Sequence, residues 1–438
     1  MKTPGVTVIG AGLAGLTAAY RLKQRGLAVK VLEANSEPGG RMAQRQEHGM
    51  TYNTGARLCY SFYSNLLELV SELGLEDAIV RHGNMKIMCR EPDKQYVIPL
   101  KPGLGLLVHP ELPWNEKLAL LRLLPDLIKA RIKINPGWMM TAADFDEPSL
   151  AEYLRQKVGP VFLKKFVEPV FRCTRSWNPD QVSPALFIST AAQMDPGSYT
   201  FGFQEGMGQL TAELAKQLDI EYQAHVNDVR RIANGKCLVR YKRDGVEKEI
   251  ESDIVILAVE GARVTNLLSE PEQTEEEFFQ SVKYNPLGVV HAKVESKQPS
   301  GVTFFSRDCS PDISIVEIGQ QNGFYKLYCQ LTPELSKKLK DDGNTSDIYS
   351  VIKESLLALC PKLKINEQSI VNQWIENKIP YFYPGYIKNV TKFQDYQDDS
   401  RRRIYYCGDY LSQALLEGAC QSGNHVADNI ARHWLNET

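Results

Sequence analysis

In the stretch VTVIGAGLAG, residues 6–15, an apolar run ends in three glycines, Gly10, Gly12 and Gly15, and an acid, Glu33, follows about twenty residues on. Each position has a task in phosphate binding. Gly10 lets the chain turn sharply, Gly12 leaves space for a diphosphate against the backbone, and Gly15 lets a helix pack close to a strand. The helix begins at Leu13 and Ala14, where free N–H groups and the positive end of its dipole await an anion. Glu33 accepts hydrogen bonds from a ribose and repels a 2′-phosphate. The set reads as the site of an ADP half that is not NADP.

The flanking elements fit that chemistry. Residues 5–9, GVTVI, are β-branched and apolar, as a buried parallel strand is. Leu13, Leu16, Ala19, Tyr20 and Leu22 then recur at helical spacing until Gly26, and AVKVLE forms a second strand ending at Glu33. A glycine pair, Gly39 and Gly40, precedes Arg41 in ANSEPGGRM; Gly55, Ala56 and Arg57 lie in YNTGARL. The opening motif alone does not separate NAD from FAD.

The totals narrow the setting. A chain of 438 residues predicts two or three domains, and a net charge of -2 gives no reason to expect nucleic acid. Nine cysteines include no CxxC pair, and seven histidines make no ligand pattern, so free thiols and no metal site are expected. With no secretory leader and no run of about 20 apolar residues, a soluble, cytoplasmic protein is expected. Peripheral membrane contact stays open. Residues 116–134, EKLALLRLLPDLIKARIKI, predict an amphipathic helix facing the core and interrupted at Pro125, with a lipid-facing helix as the alternative. There is no internal repeat, and residues 269–279, SEPEQTEEEFF, read as an acidic surface segment.

With GGR and the GA turn following Glu33, the sequence resembles the FAD-dependent amine oxidase and protoporphyrinogen oxidase superfamily. The resemblance covers nearly the whole chain. It is closest to the protoporphyrinogen oxidase-like branch through EPSLAEYLRQKVGPVFLKKFVEPVFRC and FGFQEGMGQLTAELAKQL. It implies an α/β fold, with a Rossmann-type, GR2-like FAD-binding domain discontinuous in sequence (residues 1–83, 203–262 and 373–438). A mixed substrate domain takes residues 84–202, mostly helical, and 263–372, a sheet with strands over 285–330. The resemblance implies FAD, with Glu33 and Ala34 at the ribose. Gly39 and Gly40 make a tight turn, Arg41 reaches the diphosphate or flavin edge, and Gly55, Ala56 and Arg57 form a second turn. Val226 clasps the adenine by its backbone, and Trp374 lies against the flavin or in the core. Gly408 and Asp409 meet the diphosphate and ribityl chain, and the helix from Leu416 points its N–H groups at the N1–C2=O edge. No cysteine lies between Trp374 and Tyr386, so the FAD is expected to be noncovalent.

The implied chemistry is hydride transfer to the flavin N5 from a C–N or C–C bond, with oxygen as reoxidant giving hydrogen peroxide. Three departures bear on the substrate. Ala258-Val259-Glu260 lacks the proline of the family's AxP; Asn266 lies, by count, where many amine oxidases have a lysine; and Leu415 occupies the place of a cage tyrosine. A bulky, hydrophobic, cyclic amine, pyrroline or tetrapyrrole-like substrate is therefore expected. A membrane-associated polyene desaturase or isomerase, and a flavin-holding protein without turnover, are the rivals. Tyr381 and Tyr383, with Phe382 and Tyr386, either line the pocket, a hydroxyl orienting substrate, or pack around two prolines. Arg57 faces the flavin or an anionic substrate group, or makes a salt bridge within the cofactor domain. His291 and Lys293 lie on an alternating strand, and neither is assigned as a base.

Overall fold

The computed structural model describes residues 4–83, 87–99, 104–295 and 300–435. Three distant pieces of chain build one parallel sheet of five strands, in the order Asp219–Glu221, Ala28–Leu32, Gly5–Ile9, Ile254–Leu257 and Ile404–Tyr406. Val8, Val31, Ile254, Ile256 and Tyr405 are completely buried. A sheet covered on both faces needs such continuous apolar strands. Helix Leu13–Gln24 lies against the C-terminal helix Leu416–Trp434. The two approach so closely at Gly423 that a β-carbon there would stand 2.5 Å from the Ala14 carbonyl oxygen. The antiparallel strands His225–Arg231, Cys237–Arg243 and Val246–Ser252 form a separate ribbon. Asp244 and Gly245, both at positive φ, turn the chain between the last two.

The second sheet has eight strands, built largely from Tyr284–Glu295, Gly301–Phe305, Ile313–Gln321 and Phe324–Leu331, with Ile87–Arg90 and Gln95–Ile98 at one edge. Strand Val371–Pro380 pairs with Tyr284–Glu295 in this sheet. The expected third piece of the cofactor domain, starting at residue 373, therefore begins too early. Its first strand belongs with the substrate sheet, held by a long antiparallel ladder that residue types alone do not announce.

Residues 104–202 are mainly helical. The run Pro160–Arg175 contains two π-helical turns, Leu163–Val167 and Phe171–Arg175, and stops at Ser176, which sits in the left-handed region at φ 56°. Wide turns of this kind re-aim side chains and recur at functional sites.

Residues 114–133 form a continuous helical run that Pro125 does not interrupt, because it falls in the first turn of the segment Leu124–Lys133. One face meets the core as expected, through Ala119, Leu120, Leu123, Leu127 and Ala130, but a second apolar face is turned outward.

Candidate functional site between the two sheets

The glycine turn opens onto free space. A β-carbon at Gly12 would meet no protein atom within 4 Å, whereas one at Gly15 would stand 2.1 Å from the Gly10 carbonyl oxygen. Gly15 is thus required by packing, and Gly12 keeps a cradle open. Helix Leu13–Gln24 starts beside that cradle without a side-chain cap or an acid in its first turn, so its N–H groups remain available to an anion. Gly39 lies alongside, bridged to Gly12, with its N–H bonded to the Ala11 carbonyl at 2.8 Å. The buried Glu33 carboxylate accepts from the Ala11 N–H at 2.7 Å and from the backbone and side chain of Asn35 at 2.8 and 2.6 Å. It is fixed at the end of its strand, next to a surface groove of about 420 Å³ lined by Ala34, Ser36, Gln223 and His225. Val226 follows His225 and pairs with Tyr241. These residues suit a dinucleotide, with the diphosphate at Gly12 and the adenosine along the groove.

Arg41 and Asp409 make a bidentate ion pair at 2.9 and 2.8 Å. Burial opposes the arginine's charge, but Asp409 outweighs it and raises its pKa above the ordinary value. Gly55 and Ala56 buttress this pair: the Ala56 N–H donates to the Arg41 carbonyl at 2.8 Å, and a β-carbon at Gly55 would lie 2.8 Å from the same oxygen. Gly408 is held by its N–H bond to Ser422 at 3.0 Å. Arg41 also donates to the Lys378 carbonyl at 3.3 Å, which brings the substrate sheet onto the cofactor domain. Glu260, in the place of the family's proline, accepts from Asn377 at 3.0 Å and makes a second tie to the same strand.

The C-terminal helix starts at Leu416 without a side-chain cap, and Leu415 just before it touches both large apolar cores. The buried Glu417 accepts from the Asn65 and Leu66 N–H groups at 2.9 and 3.1 Å, so the helix start is tethered to the start of helix Ser64–Glu72.

Several expected site residues lie elsewhere. Trp374 packs with the apolar cluster on the far face of the substrate sheet, and its indole N–H donates to Glu376 at 2.8 Å. Its neighbour Gln373 is the one that turns inward, donating to the carbonyls of Asn53 and Thr54 at 3.3 and 3.1 Å. The strand's two-residue period forces this alternation. The Tyr381 hydroxyl donates to Gln181 at 2.7 Å and that of Tyr383 to the Ser281 carbonyl at 3.3 Å, so each hydroxyl has a protein partner. Tyr386 and Phe382 are fully buried beside them. Asn266 is exposed on helix Gly261–Leu267, outside the site. Arg57 pairs with Glu317 and lies 4.0 Å over the Tyr328 ring, so its ion pair crosses to the substrate sheet and does not stay within the cofactor domain. His291 stacks on Tyr52 at 4.7 Å, and its Nε2 donates to Gln373 Oε1 at 2.9 Å. Burial pushes its pKa down to about 3, so the ring stays neutral.

Two cations that the sequence did not single out face the same interior. Lys378 lies deep in the molecule yet keeps some accessible surface, and its amine donates to the Ser176 hydroxyl at 3.0 Å. Burial lowers its pKa to about 7; the Cys173 thiol opposes the shift, and Arg57 and Arg175 add to it. Arg175, on the second π turn, is 9% exposed. No residue pattern marks either one, because each becomes interior only through long-range pairing.

Comparison with known proteins agrees with this geometry. The family described as flavin-containing amine oxidoreductase matches residues 13–431. Protoporphyrinogen oxidase 2 of Arabidopsis thaliana is 27% identical over 184 residues, 41% of this chain and 34% of that protein. A 15-cis-phytoene desaturase of Synechococcus elongatus is 27% identical over 201 residues, 42% of this chain and 40% of that protein. The chain thus spans about a third of the length of the curated relatives it matches first. Among solved structures, a putative protoporphyrinogen oxidase from Exiguobacterium sp. 255-15 superposes with a TM-score of 0.74 at 18% identity, covering 98% of this chain and 99% of that one. Putrescine oxidase bound to putrescine gives 0.72 at 18%, covering 99% and 100%. Among the described residues no group of side chains forms a metal site, and no helix is long and apolar enough to cross a membrane. The match over nearly the whole chain places the protein in the flavin-containing amine oxidoreductase family.

Proposed function

We propose that the chain is an oxidase that takes two electrons from a C–N or C–C bond of a hydrophobic, cyclic small molecule, with oxygen as acceptor and hydrogen peroxide as product. FAD, when bound, accepts the hydride at N5. The chain's own residues bind and orient. Gly12, the free helix start at Leu13 and the Gly39 turn receive the diphosphate, Glu33 the ribose, and the Arg41–Asp409 pair steadies the junction with the substrate sheet. The observation that carries the substrate class is Leu415, which borders both cores at the start of the C-terminal helix. A leucine offers no ring face to an amine and leaves the wall wider, which suits a bulky apolar ring. Aerobic peroxide assays against amines, pyrrolines and porphyrinogens test this: peroxide is expected with a cyclic member, and its absence with every compound contradicts an oxidase. In the latter case photoreduction followed by reoxidation in air separates a flavin-holding protein, slow to reoxidise, from an enzyme with another acceptor.

The outward face of residues 114–133 supports a membrane-surface location for this activity. Trp114, Leu118, Leu121, Leu124, Ile128 and Ile132 recur at helical spacing and are 48–78% exposed. The basic side chains Lys117, Arg122, Arg131 and Lys133 accompany them. Apolar side chains beside basic ones match the boundary of an anionic bilayer, and an apolar substrate would partition there. Flotation with phosphatidylglycerol-containing vesicles should carry the protein upward, and the L121E/I128E variant should stay behind; equal behaviour of the two contradicts the location.

A further inference from the structure

We propose that the substrate of this site carries a carboxylate, received by Arg175 and Lys378. The inference rests on the oxidase reading and adds a chemical group to it. Arg175 is nine-tenths buried, yet among the described residues its guanidinium has neither a hydrogen bond nor an ion pair; the rings of Phe171 and Trp177 lie near it, at 5.8 and 5.9 Å, and the buried Tyr63 phenol is close enough to feel its charge. Lys378, close enough to repel it, has among the described residues one hydrogen-bond partner for its amine, the neutral Ser176 hydroxyl. A buried positive charge without an anion is costly, and two beside one another are more so. Proteins keep such an arrangement where a ligand completes it.

The nearby protein carboxylates are already engaged: Asp409 with Arg41, Glu317 with Arg57, and Glu417 with the N–H groups of Asn65 and Leu66. The FAD phosphates belong at Gly12 and Gly39. Arg175 and Lys378 instead come from the substrate half, one from a π turn and the other from the strand paired to the substrate sheet. Backbone at Ser176 in the left-handed region sets the two side chains in their relation, since Ser176 is bonded to both Lys378 and Asn285. A guanidinium and an amine together match the two oxygens of a carboxylate.

The test uses the FAD-loaded protein and the visible difference spectrum of its flavin. Benzoate, phenylacetate and indole-3-acetate are titrated beside their amides, with the wild type, R175Q and K378M. At least one acid should give a saturable change, its amide should bind at least tenfold more weakly, and each variant should lose at least tenfold in affinity for the acid. Flavin content is read in the same spectra, and a variant that fails to fold leaves the other to decide. The proposal is overturned if no acid binds, if acid and amide bind alike, or if the variants bind the acid as the wild type does. Variants that shift the resting flavin spectrum and midpoint potential but keep acid affinity would assign the cations to the flavin ring and also overturn it. No turnover is needed, so failure of the oxidase reading and failure of this one are distinguishable.

Discussion

The carboxylate of Asp409 and the guanidinium of Arg41 bind each other at 2.8 and 2.9 Å across 368 positions of sequence. This pair joins the N-terminal and C-terminal parts of the five-stranded unit, and the Lys378 carbonyl attached to it joins both to the eight-stranded sheet. On the proposed reading the cofactor lies along this seam, so its integrity and cofactor affinity should move together.

Asp409→Asn should keep the fold but lower the affinity for FAD. Removing one partner leaves the half-buried Arg41 charge without its anion, at a cost of about 1.5–3 kcal/mol for a charged hydrogen bond. Titration of the apoprotein with FAD should show a roughly 10- to 100-fold weaker dissociation constant. Unchanged affinity would mean that the pair serves only the fold.

Gly12→Val should abolish FAD binding while the apoprotein remains folded. The space at Gly12 is open in the protein, where a β-carbon meets no protein atom within 4 Å, so a branched side chain intrudes chiefly on the diphosphate. Flavin absorbance after purification and a thermal melt of the apoprotein check the two halves; full occupancy in this variant would place the diphosphate elsewhere.

How far the sequence reaches is seen by setting Glu33 beside Trp374. Glu33 is legible because its meaning is local: strand, turn, helix and strand stand in one short stretch, and their order sets the geometry. Trp374 is not, because its side chain follows the register of a strand whose partner, Tyr284–Glu295, is far away in sequence. One residue of register decides whether Trp374 or Gln373 faces the cofactor domain. The same holds for Lys378 and Arg175, which look like ordinary surface cations until a sheet and a π turn carry them inside. The helical run 114–133 shows a third limit. Periodicity reveals apolar faces but not which of them the protein covers.

His291 should make stability pH-dependent. The buried ring stays neutral down to about 3, whereas the unfolded chain takes up a proton below about 6.5. Between those values the unfolded state binds more protons, so stability falls as pH drops, by about 1.4 kcal/mol per unit from this residue. Urea unfolding at pH 7.5 and 5 should show the wild type losing about 2 kcal/mol more than His291→Gln. Parallel losses in the two proteins would show that the ring protonates in place.

The central claim is an FAD oxidase whose Leu415 wall admits a bulky ring and poorly serves a slim amine. Anaerobic stopped-flow reduction of the FAD-loaded protein tests it most directly, comparing benzylamine and alkyl amines with larger cyclic amines, pyrrolines and porphyrinogens. Flavin bleaching by a large cyclic substrate should be at least about a hundredfold more efficient, a difference of about 2.7 kcal/mol in transition-state energy. Rapid bleaching by benzylamine or a simple alkyl amine, equal to or faster than that by any ring substrate, would contradict it.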